Sequence, residues 1–76
     1  MKKYELGYGF IYRGASCIEV SEYYNTKAEA LKEFNKAKRC MCESDPYHYI
    51  CLLENTYDSD GELIESISLK HYIYEV

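Results

Sequence analysis

The sequence predicts an α+β domain: a two-layer sandwich in ββαββ order, with one amphipathic helix packed on a four-stranded, mainly antiparallel sheet. Three observations carry that prediction. Two segments with a repeat of two precede a single segment with a helical repeat, and two more strand-like segments follow it. Turn-forming clusters punctuate each half. No repeat, low-complexity tract or linker divides the 76 residues, which are read as one domain over residues 1–76.

The first segment, Tyr4 to Arg13, alternates. Tyr4, Leu6, Tyr8, Phe10 and Tyr12 fall on one side, and Glu5, Gly7, Gly9, Ile11 and Arg13 on the other. Gly14-Ala15-Ser16 is expected to turn the chain. Cys17 to Tyr24 resumes as a strand, with Ile18 and Val20 on one face and Cys17, Glu19 and Ser21 on the other. The glycines of Gly7-x-Gly9 lie within a strand, without a following helix or a third glycine, so they form no nucleotide fingerprint. Their expected role is to leave room for a large cross-strand ring, a tyrosine for example.

At Thr26 the period changes. Thr26-Lys27-Ala28-Glu29 fits a capping box. Ala30, Leu31, Phe34, Ala37 and Met41 then form an apolar stripe, and the spacing predicts a helix from about Thr26 to Cys42. Glu29 and Glu33 lie toward its start and Lys36, Lys38 and Arg39 toward its end, in the order that complements the helix dipole. Glu43-Ser44-Asp45-Pro46 supplies the stop, because the residue before a proline resists helical geometry.

Tyr47 to Tyr57 is apolar on both faces, the mark of an interior strand. Asp58-Ser59-Asp60-Gly61 predicts a tight turn. Glu62 to Tyr74 forms the fourth strand, with Leu63, Ile67, Leu69 and Ile73 on one face and Ile64, Tyr72 and Tyr74 opposite. One helix covers one face of such a sheet. The uncovered face is expected to hold either Ile50, Leu52, Ile64, Tyr72 and Tyr74 or the tyrosine-rich set of the first strand, which suggests a homodimer through that face or a protein partner.

Composition narrows the function classes. A carboxylate at Glu5 interrupts any signal-like N-terminal segment, and no apolar run has membrane-span length, so a cytoplasmic protein with no membrane partner is expected. Cys17, Cys40, Cys42 and Cys51 are then thiols. The net charge of −4 is unevenly spread: Thr26 to Cys42 carries +3 and the remainder −7.

No convergent chemistry emerges. Cys40-x-Cys42 is the one close cysteine pair, and on a continuing helix its sulfurs point about 200° apart, which gives no metal site. Thr56-x-Asp58-x-Asp60-Gly61 lacks the calcium loop's closing glutamate, since Ile67 stands there. His48 and Cys51 have opposite parity on one strand, and no acid–base–nucleophile set is evident. The expectation is therefore a non-enzymatic protein with no cofactor.

Ten tyrosines and no tryptophan favour a protein-binding surface. The candidate contact residues are Tyr12, Tyr23, Tyr24, Tyr57, Tyr72 and Tyr74, with Glu54, Glu62 and Glu65 beside them. An acidic surface of this kind suits a basic, nucleic-acid-handling partner. By analogy of size, charge and architecture alone, it suggests a phage or mobile-element inhibitor or accessory protein of the anti-CRISPR or anti-restriction type. The alternative is a nucleic-acid-binding module that uses Lys32, Lys36 and Arg39 on the helix. The low pI opposes it, so nucleic acid is the less favoured partner.

Overall fold

A computed structural model describes residues 1–42, 44 and 46–74 of the chain. The architecture is the expected one. Strands β1 (Lys2–Tyr12) and β2 (Ala15–Tyr24) form a hairpin, α1 (Lys27–Cys40) follows, and β3 (Tyr49–Tyr57) and β4 (Leu63–Ile73) form a second hairpin. The four strands make one antiparallel sheet in the order β2-β1-β3-β4. The two chain-remote strands β1 and β3 thus pair at its centre, which explains why β3 is apolar on both faces.

The first turn is tighter than Gly14-Ala15-Ser16 implies. Tyr12 pairs with Ala15, so Arg13 and Gly14 alone make the loop, with φ of 52° and 81°. A two-residue hairpin needs positive φ at both central positions to match strand twist, and the arginine accepts that strain beside a glycine. The second turn is as expected. Asp58 Oδ1 accepts hydrogen bonds from the backbone N–H groups of Asp60 and Glu62, each at 2.9 Å, and Gly61 takes the left-handed conformation.

Thr26 caps α1, its Oγ1 accepting from the Glu29 N–H at 3.2 Å. The Glu29 carboxylate accepts from the Thr26 hydroxyl at 3.0 Å. The helix ends at Cys40, and Met41 is already extended. Cys42 therefore lies outside the helix, contrary to the expected boundary. Of the predicted stop, Glu43 and Asp45 lie outside the described residues.

The core sits between α1 and one face of the sheet. Leu6, Ala30, Phe34, Ile50 and Leu52 are buried together, with Tyr4, Tyr8, Tyr24, Leu31, Ala37, Met41, Leu69 and Tyr72 packed around them. The helix rests mainly on β3, β1 and β2. It meets β4 through the Lys38 ammonium, 4.9 Å from the Tyr72 ring centre, and through Lys70, 5.4 Å from the Phe34 ring centre.

Both sets proposed for the uncovered face thus lie, for the most part, on the covered one. Leu6, Tyr4 and Tyr8 of β1 share the helix side with Ile50, Leu52 and Tyr72. Three bulges explain further departures from simple alternation. Glu19 is the extra residue in β2, so Ile18 and Val20, expected together, oppose Gly9 and Tyr8 on different faces. Leu69 and Ile64 are the extra residues in β4. They split its apolar set: Ile67 and Leu69 lie toward the helix, while Ile73 lies opposite Tyr49.

Candidate binding face

The face that α1 leaves bare is built from the odd-numbered residues of β1 and β3 and their partners. Gly7 sits near its centre, and Ile18 lies over it. A Cβ on Gly7 would come 3.0 Å from Cys51 Sγ and 3.1 Å from Ile18 Cδ1. The occupant of that space is an isoleucine, not the expected tyrosine. At Gly9 the reason for glycine is the bulge: a Cβ would fall 1.7 Å from the Cys17 carbonyl oxygen, so the neighbouring backbone excludes every other residue.

Beside this small apolar patch runs a polar row that crosses all four strands. Ser21 of β2 donates to Glu5 Oε2 at 2.8 Å, and Asn55 Nδ2 of β3 donates to Glu5 Oε1 at 2.9 Å. Ser66 of β4 donates to Asn55 Oδ1 at 2.6 Å. Asn55 is only 2% exposed, so these bonds are what make its burial tolerable. Among the described residues no buried side-chain nitrogen or oxygen lacks a partner. Sequence reading missed this row. Glu5, Ser21, Asn55 and Ser66 are far apart in the chain and become neighbours only through the β1–β3 register.

At one end of the row the surface dips into a concavity of about 500 Å³. Its lining includes Tyr23 from β2, Lys3 from β1, Tyr57 from β3 and Asp58 and Ser59 from the second turn. The Tyr57 hydroxyl accepts a long hydrogen bond, 3.4 Å, from Asn55 Nδ2, which ties the cleft wall to the polar row. Asp58 is held by its two turn bonds, so the cleft floor is ordered from the hairpin itself. Lys3 has no carboxylate within ion-pair distance among the described residues; Lys2 instead pairs with Glu54 at 3.1 Å on the opposite face.

Of the six tyrosines singled out, the structure brings together Tyr23 and Tyr57. Tyr24 faces the helix and donates to Glu22 Oε2 at 2.8 Å, and burial followed by that glutamate holds its phenol well above the usual range. Tyr72 seals the core beneath Lys38. Tyr12 is at the first turn under the Arg13 guanidinium, and Tyr74 lies 5.8 Å from the His48 ring beyond β4. Glu62 closes the second turn, and Glu65 lies exposed on the helix side of β4. Lys32, Lys36 and Arg39 are all exposed along α1, with Lys36 bordering a shallow depression of about 200 Å³ beside Glu33 and Cys40.

One cysteine–histidine pair does arise from the register. Cys51 and His71 are cross-strand partners on the bare face. Burial pushes the Cys51 thiol up, away from the thiolate form that nucleophilic chemistry requires. The His71 ring stacks on Tyr49, with centroids 6.4 Å apart. Among the described residues no group of three or more histidine, cysteine or acidic side chains converges on a metal-sized space, and no helix is long and apolar enough to cross a membrane.

Fold and face together define a helix-backed antiparallel sheet with one open face that combines a satisfied polar row and an aromatic-walled cleft. No family model, curated protein or solved structure matches the chain.

Proposed function

We propose that this protein is a non-catalytic protein-binding module that engages its partner through the bare sheet face. One observation carries the reading: Tyr23 and Tyr57, from strands at the two sides of β1, wall a common cleft on the face that the helix leaves open. Tyrosine anchors bury a large ring at low entropic cost and keep a hydroxyl for the wet rim. The polar row beneath is already satisfied within the chain, so it serves as a rigid floor. The acidic remainder of the chain favours a basic partner, as expected of an inhibitor or accessory protein from a phage or mobile element acting on nucleic-acid-handling machinery.

The test is affinity capture from the native cell with wild-type protein and with the Tyr23→Ala/Tyr57→Ala variant in parallel, followed by titration of the captured protein. Loss of two anchors is expected to weaken binding by about 30-fold or more, with little dependence on salt. Equal binding by the variant would refute the reading. Binding to a short DNA or RNA duplex that falls steeply with salt, and is lost in Lys32→Ala/Lys36→Ala/Arg39→Ala, would instead establish the helix as a nucleic-acid surface.

A further inference from the structure

The sheet has two free edges, and they differ in a way that identifies a partner for one of them. Strand β4 is an eleven-residue edge on which the helix barely impinges. It exposes Leu63 (56%), Ile64 (65%), Ile67 (44%) and Ile73 (43%), four of the ten large apolar side chains exposed among the described residues. A long edge with that much apolar surface is a ready template for another strand.

The charges on β4 specify which strand. Within β3, Leu52, Glu54 and Thr56 alternate onto the helix side, and their β4 partners are Lys70, Ile67 and Glu65. Lys70 and Glu65 are five residues apart, which in a regular strand would put them on opposite faces. The bulge at Leu69 removes that difference and brings both onto one face, on either side of Ile67. An antiparallel two-fold pairing of β4 with a second β4 about Ile67 then sets Ile67 against its copy. It also sets Ser66 against Ser68 twice, and Glu65 against Lys70 twice. Neither is in an ion pair at contact distance within the chain: among the described residues the ion pair is Lys2 with Glu54, the Lys70 ammonium rests over the Phe34 ring, and Glu65 acts on Lys2 only from a distance.

Strand β2 offers the contrast. Its charged residues are Glu19 and Glu22, both acidic, so no self-pairing of β2 can set opposite charges against each other. Bulges and an edge lysine are ordinary means of blunting an edge. In β4, however, the bulge is what makes the charges self-complementary.

We infer that β4 pairs with β4 of a second copy of this chain, giving a two-fold dimer with a continuous eight-stranded sheet and leaving the Tyr23 edge free. The contact is separate from the cleft, so its failure would leave the proposed partner face untouched.

The experiment is sedimentation equilibrium over a concentration series reaching about 100 µM, a range suited to modest affinities, with circular dichroism confirming the fold of each variant. Wild-type protein is expected to dimerise. Lys70→Glu, which opposes two pairs of glutamates, and Glu65→Lys, which opposes two pairs of lysines, are each expected to weaken the dimer about tenfold or more. The doubly exchanged Glu65→Lys/Lys70→Glu chain restores it. An equimolar mixture of the two single variants associates more tightly than either alone. Glu19→Lys, on the other edge, leaves the equilibrium unchanged. A monomeric wild type at the highest concentration would overturn the inference. So would a dimer indifferent to the charges at 65 and 70, or one that the exchange fails to restore.

Discussion

The two faces of the sheet solve the problem of a small domain in opposite ways. On the helix side, Leu6, Ile50 and Leu52 are fully buried under Phe34 and Ala30, and Tyr4, Tyr8, Tyr24 and Tyr72 ring that core. The rim tyrosines cover apolar surface with their rings and keep their hydroxyls near water, which suits a chain too short to enclose a core completely. On the bare side, order comes from hydrogen bonds: Ser21, Glu5, Asn55 and Ser66 link the four strands, and Ile18 and Cys51 fill the space over Gly7. The difference teaches that four of the ten tyrosines, Tyr4, Tyr8, Tyr24 and Tyr72, are packing material. On the bare side, Tyr23 and Tyr57 instead wall a cleft.

The largest effect should come from emptying the covered face. Phe34→Ala is expected to cost about 3–5 kcal/mol, the usual range for deleting a buried phenylalanine. That is a large share of the roughly 5–15 kcal/mol that holds a small domain together. Urea unfolding measures it; a loss below about 1 kcal/mol would show that the helix does not seal this core.

The polar row should respond less, though measurably. Asn55→Ala removes a donor from Glu5 and the acceptor of Ser66 at a position shut off from water, with an expected cost of about 1–3 kcal/mol. The same unfolding experiment decides it. An unchanged midpoint would mean that the four strands are not coupled through this row, and the contrast between faces would collapse to a simple apolar-versus-exposed one.

The smallest effect sharpens the role of the rim. Burial, then the hydrogen bond and charge of Glu22, raises the Tyr24 phenol in the folded chain, while the unfolded phenol ionises near about pH 10. The folded state thus holds its proton longer than the unfolded state. Stability from this group is fully present below about pH 10 and is lost as the pH climbs above it. Tyr24→Phe should cost at most about 1 kcal/mol at neutral pH and make the alkaline decline shallower. Unfolding midpoints at neutral and high pH test this, and an unaltered decline would show that Tyr24 does not contribute to it.

Much of the architecture was legible because local rules agree with one another. Thr26, the stripe from Ala30 to Met41 and the charge order along α1 each specify the same helix. Asp58 and Gly61 specify the second turn through their own side-chain and backbone preferences. The faces were legible only in part. Alternation assigns a side to every strand residue, and a single inserted residue reverses the assignment for everything beyond it. Glu19, Ile64 and Leu69 are such insertions, and nothing in their identity marks them. The candidate cleft suffers from the same limit: Tyr23 and Tyr57 stand out by type, but so do eight other tyrosines that lie elsewhere.

By itself, then, the sequence determined the order of elements, the capped and charged helix, and the tight turn before β4, because each depends on residues within a few positions of one another. The tertiary structure decided which strands meet, which face the helix takes, and where the polar row, the cleft and the matched charges of β4 fall. Those features depend on the β1–β3 pairing and on three bulges. They are set by long-range packing, in which a one-residue shift in register moves every side chain to the other face.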